Sequence, residues 1–131
     1  MATQGKATFQ ITGWDEAPYE DKKGTAKLSQ AHVTNTFDGD IKGDGSAEYL
    51  MAYPTPEKAT FVGLQRVSGT VEGKRGTFVL EARGTFENGI AKADWSVVPG
   101  SGTGELENLA GDGSYESKSD GSADVVLSYK I

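Results

Sequence analysis

The sequence contains no cysteine, a single histidine and only four prolines. Without cysteine there are no disulfides, no thiolate nucleophiles and no cysteine-ligated metal sites. The lone His32 is too few for the usual zinc sites, so no metal and no cofactor are expected. Excess positive charge is also missing: 13 Lys and Arg stand against 19 Asp and Glu, a formal charge of −6. Nucleic acid and anionic membrane surfaces both require a basic face, so neither is expected as a partner. No apolar run approaches the length of a membrane span, and the start "MATQGKATFQ" has no apolar stretch of the secretory kind. The expectation is one soluble, cytoplasmic domain over residues 1–131.

Glycine, in contrast, is plentiful. The 18 glycines are about twice average usage. They separate segments rich in Thr, Val, Phe and Tyr, and these segments alternate apolar and polar residues with a period of two. "KATFQITGW" sets Ala7, Phe9 and Ile11 on one face. "KLSQAHVTNTFDG" does the same with Ala31, Val33 and Phe37, "SAEYLMAY" with Tyr49, Met51 and Tyr53, and "KATFVGLQRVSG" with Phe61, Gln65 and Val67. "GTFVLEARG", "GIAKADWSVV" and "SADVVLSYKI" continue the pattern, the last with Val125, Leu127, Tyr129 and Ile131 inward. A short eighth strand is expected near "GDGSYES". The connections "FDGD", "VEGKRG", "FENG" and "SDGS" suit tight antiparallel turns. The fold class is therefore all-β: an up-and-down antiparallel barrel of about eight strands, closed so that no edge is left bare. "DEAPYEDKKGTA" reads as a polar loop, and "ELENLAG" as a single helical turn with Leu106 and Leu109 on one side.

The stretch "WSVVPGSGTGELENLAGDGSYES" holds five glycines and invites comparison with phosphate loops. The dinucleotide pattern fails at Glu105, and no lysine lies between Lys92 and Lys118 to serve a P-loop. Asp94, just before the stretch, and Glu105, Glu107, Asp112 and Glu116 within it would repel a phosphate. The glycines are better read as the corner of a sheet. "DGDIKGDGSAEY" resembles a calcium loop, but Lys42 and Tyr49 occupy ligand positions, so a turn with solvated acids is the better reading. His32 falls on the polar face, where a surface role is the simpler one.

The inner face carries the functional information. Its polar members are Asn35, Gln65 and the tips of Tyr49, Tyr53, Tyr129 and Trp95, none of them charged at neutral pH. Such a lining suits a small apolar or neutral organic ligand. The candidate ligand-binding residues are Asn35, Tyr49, Met51, Phe61, Gln65, Phe78, Leu80, Trp95 and Tyr129. The alternative is a barrel filled by its own side chains that acts through its surface. Whether the protein is an enzyme stays open. Glu48 and Glu81 are candidate general bases if their strands run in the opposite phase, with raised pKa values inside an apolar lumen; on the outer face they are ordinary surface acids. Leu50, Val62, Leu64 and Val79 project outward from neighbouring segments, and such a patch suggests a homodimer.

"FDGDIKGDGSAEYLMAY", "FVGLQRVSGT", "GTFVLEARGTFENG" and "WSVVPGSGTGELENLAGDG" resemble the bacterial domain of unknown function 3224 family over nearly the whole chain. The resemblance implies a small closed barrel similar to allene oxide cyclase and related calycin-like barrels. That wider group includes cyclases and isomerases that act on hydrophobic substrates in the lumen, so isomerase, cyclase or proton-abstraction chemistry is what the likeness implies. Glu is common in the family at the place of Gln65, and Gln-His at Glu81 and Ala82, so this chain departs from the pattern there. No residue matches the cyclase active site, and none is carried over.

Overall fold

A computed structural model describes residues 2–118 and 120–131. Eight strands follow in order: β1 Thr3–Glu20, β2 Lys27–Gly39, β3 Ile41–Thr55, β4 Lys58–Val71, β5 Lys74–Glu87, β6 Ile90–Val97, β7 Ala110–Ser117 and β8 Ser122–Lys130. Each pairs antiparallel with the next, and β8 pairs with β1, closing the barrel. Two hairpins turn on "EG" and "NG": Glu72 and Gly73 have φ of 48° and 82°, and Asn88 and Gly89 have 52° and 84°. Positive φ at both central residues matches the twist of the flanking strands.

The alternation holds. Phe9, Val33, Tyr49, Phe61, Phe78, Leu80, Trp95 and Leu127 are buried in one core. Ile131 is an exception at 41% exposed, because β8 ends one residue earlier.

The glycine-rich stretch is a corner. β6 stops pairing with β5 at Val97, opposite Leu80. The following segment then runs along the free edge of β5 and satisfies its backbone. Val98 N donates to Val79 O at 2.9 Å, Thr103 N to Thr77 O at 2.9 Å, and Val79 N to Ser101 Oγ at 3.0 Å. A Cβ on Gly76 would lie 2.0 Å from the Thr103 carbonyl oxygen, so only glycine admits this approach. A single 3-10 turn, Gly104–Leu106, delivers Leu106 (0% exposed) and Leu109 into the core. In the other acidic stretch, Asp40 Oδ2 accepts from Lys6 N at 2.8 Å within the β2–β3 turn.

One expectation is overturned. "DEAPYEDKKGTA" is not a loop from its start, because β1 continues through it to Glu20 and pairs with β2 as far as Leu28. The alternation is hidden there by a bulge. Ile11 faces Asn35, but Gly13 faces Thr34, which leaves Thr12 as the extra residue. Thr12 Oγ1 donates to Thr34 Oγ1 at 2.8 Å. One inserted residue inverts every later side chain relative to the earlier ones. Trp14, Glu16 and Pro18 therefore share a face with their partners Val33, Ala31 and Ser29, which are buried.

Candidate functional site

The barrel is filled at one end and hollow at the other. The filled part holds an aromatic cluster around Trp95. Its ring lies 6.5 Å from Phe9, 6.3 Å from Phe37 and 5.0 Å from Tyr115. The hollow part is a cavity of about 570 Å³ that opens between the β1–β2, β3–β4, β5–β6 and β7–β8 connections. Phe9, Ile11, Val33, Met51, Phe61 and Phe86 supply its apolar wall, and Pro18, Pro56, Gly89 and Gly121 its rim.

Of the residues expected in a ligand site, Asn35, Tyr49, Met51 and Phe61 line this cavity. Gln65, Phe78, Leu80, Trp95 and Tyr129 point inward but belong to the packed part of the core, outside the cavity wall. Glu48 and Glu81 lie on the outer face, since the strands keep the original phase. Glu48 meets His32, its cross-strand partner, and accepts from Gln30 Nε2 at 3.3 Å. The His32 and Gln30 hydrogen bonds hold its carboxyl below the ordinary range, opposite to what a lumen base needs.

The carboxylate that does enter the cavity is Glu16, half-buried at the mouth. Ser29 Oγ donates to Glu16 Oε2 at 2.5 Å, Tyr53 OH to the same oxygen at 2.8 Å, and Trp14 Nε1 to Oε1 at 3.0 Å. Partial burial raises its pKa, but the bonds from Ser29, Tyr53 and Trp14 and the charge of Lys27 outweigh burial and keep it below the ordinary carboxylate value. Tyr53 is its counterpart: burial, the bond to Glu16 and the charge of Glu16 push its phenol up to about 12. Lys27 Nζ stands 4.6 Å from the centre of the Tyr53 ring. The mouth is thus an ionised carboxylate held by three donors.

Deeper in, the polar groups are neutral. Asn35 Nδ2 donates to Gln65 Oε1 at 2.7 Å, with the two residues 2% and 1% exposed. Gly45, the β3 partner of Asn35, makes room for this pair, for a Cβ there would lie 2.3 Å from Gln65 Oε1. Burial raises the pKa of Tyr49. Burial, with the Tyr49 phenol beside it, raises Tyr115 well above the ordinary phenol value. Both phenols stay protonated at neutral pH. Among the described residues, no group of three or more His, Asp or Glu comes close enough to share a metal ion.

Glu16, Trp14 and Ser29 had no place among the sequence candidates. One signal was present: Ser29, Ala31 and Val33 alternate as an inward face, and that face needs a partner strand opposite it.

A closed meander barrel with a hollow, aromatic-lined end defines the class: a small lumen-bearing β-barrel. Within that class the chain belongs to the DUF3224 family, described as "Protein of unknown function", whose model matches residues 5–129. It is similar to the crystal structure of a protein with unknown function from the DUF3224 family of Shewanella oneidensis MR-1, at 26% identity and a TM-score of 0.80. That similarity covers 100% of this chain and 98% of the other. No curated protein matches the chain significantly. For the described residues, no helix is long and apolar enough to cross a membrane.

Proposed function

We propose that the barrel binds a small, largely apolar organic molecule in its open end. The observation that supports this is the cavity of about 570 Å³, apolar on its wall, with fixed polar groups at mouth and floor. Both size and lining suit a ligand pocket. Glu16 favours holding over proton abstraction. A general base works best with a pKa near the working pH, and three donors move Glu16 away from it. The test is titration with a neutral apolar fluorophore such as N-phenylnaphthylamine. Ala91 lines the cavity, and Ala91→Phe should weaken binding about tenfold or more with an unchanged circular dichroism spectrum. Trp14 lines the mouth while Trp95 is packed away, so ligand-induced emission changes should vanish in Trp14→Phe. A variant Ala91→Phe that binds as the parent does would remove the reading.

A second reading, self-association, is favoured by the outer wall. Leu50, Val62 and Leu64 are 50%, 42% and 53% exposed. Val79 adds little, because the segment after β6 covers its edge of β5. Leu50 faces Val62, Val62 faces Arg83, and Leu64 faces Glu81. A two-fold axis crossing the strands at Gly63 would set Val62 against the second copy's Leu64, and Arg83 against its Glu81. Light scattering should find a dimer that Leu64→Glu and Arg83→Glu each dissociate. The exchange Glu81→Arg with Arg83→Glu should restore it. A monomeric parent protein would end this reading.

A further inference from the structure

The floor of the cavity contains an amide that the fold leaves half used. Asn35 and Gln65 share one hydrogen bond, through Asn35 Nδ2 and Gln65 Oε1. Asn35 Oδ1 and Gln65 Nε2 are both buried and have no partner among the described residues. A buried polar atom without a partner costs on the order of 1–3 kcal/mol. Gln65 lies behind the wall, whereas Asn35 is part of it. Of the two unpartnered atoms, only Asn35 Oδ1 therefore belongs to a residue of the cavity wall.

We propose that the cavity selects a neutral molecule with an apolar body and one hydroxyl group, an alcohol or phenol, which enters hydroxyl first and bonds Asn35. The inference rests on the cavity being a binding site. Three features choose the class. First, Asn35 Oδ1 is an acceptor and requires a donor, which a hydroxyl provides and a ketone, ether or ester does not. Turning both amides over would keep their mutual bond and leave Asn35 Nδ2 free instead. A hydroxyl also accepts, so it satisfies Asn35 in either orientation. Second, the floor has no charge to neutralise an ionised ligand: Tyr49 and Tyr115 hold their protons, and burying an unpaired charge is costly. Third, the ionised Glu16 stands at the entrance, where Lys27 lies over the Tyr53 ring and Lys118 pairs with Asp124, so neither lysine of the wall is set aside for a ligand carboxylate. Phe9, Val33 and Phe61 then enclose the apolar body.

The experiment uses matched compounds on one carbon frame: a cyclic terpenoid alcohol, its ketone, its parent hydrocarbon and its carboxylic acid. Binding is measured by calorimetry and by displacement of the fluorophore. The alcohol should bind about tenfold to a hundredfold more tightly than the hydrocarbon or the acid, and more tightly than the ketone. In Asn35→Leu with Gln65→Leu, which removes both amides together so that neither is left unpaired, the alcohol should lose this advantage while hydrocarbon binding persists. In the unmodified protein, the side-chain amide NMR signals of Asn35 should move with the alcohol and not with the hydrocarbon. Equal affinity for alcohol and hydrocarbon, or an advantage that survives in the double variant, overturns the assignment yet leaves the cavity as a binding site. If none of the compounds binds, both fall together.

Discussion

Gly45→Ala tests the amide pair on which the cavity floor depends. The new methyl would lie 2.3 Å from Gln65 Oε1 and 2.9 Å from Phe37 Cε1. Neither distance is tolerable, so the Gln65 side chain must swing away and break its 2.7 Å bond to Asn35. Two amides in the core, 2% and 1% exposed, then stand unpaired. Each costs about 1–3 kcal/mol, and crowding against Phe37 adds about 1 kcal/mol or more. The better strand propensity of alanine returns about 0.5–1 kcal/mol. The expected net loss is about 3 kcal/mol or more, a large share of the roughly 5–15 kcal/mol that holds a domain folded. For a chain of this size the melting temperature should fall by about 10–15 °C. Urea unfolding followed by circular dichroism measures the loss directly. The cause is isolated by repeating the change in a Gln65→Ala background, where the clashing oxygen is gone and the penalty should shrink by about 1 kcal/mol or more. A loss below about 1 kcal/mol, or the same loss in both backgrounds, would refute the reasoning.

The polar mouth should be visible in the pH dependence of stability. Glu16 titrates below its ordinary 4.5 in the folded chain, so its contribution is present above that value and is lost as pH falls through the folded pKa. Glu16→Gln should flatten that part of the acid limb. Tyr53 runs the other way: its pKa rises from 10.0 to about 12, so its contribution is intact below pH 10.0 and disappears as pH climbs through about 12. Tyrosinate absorbance, assigned with Tyr53→Phe, should show Tyr53 moving back toward its usual range in Glu16→Gln. At the opposite end, Gly76→Ala drives a Cβ into the Thr103 carbonyl at 2.0 Å. It should cost about 2–4 kcal/mol by lifting Leu106 out of the core while leaving fluorophore affinity unchanged, and equal damage to both would show that the two ends are not separate.

The eight strands, their inward faces and the closed meander were legible because a period of two, interrupted by glycine turns, is a local property of the chain. Trp95, Phe78 and Tyr49 face inward for that reason alone. The reading of "GSGTGELENL" as a corner was also local: it lacks the lysine a phosphate loop needs and carries the leucines a core needs. What the sequence by itself left open was the occupancy of the lumen. Alternation tells which side a residue faces, but whether opposing side chains meet is set by how eight faces converge. Asn35 and Phe61 came to line space while Leu80 and Trp95 came to fill it, and no pattern along one strand distinguishes them. Glu16 depended on something smaller. A single extra residue, Thr12, is accommodated opposite Thr34, and the phase of β1 reverses from there on. The bulge exists because β1 must stay paired with β2 while Ser29, Ala31 and Val33 keep their own inward phase. That constraint acts between strands, and so it was decided only when the barrel closed.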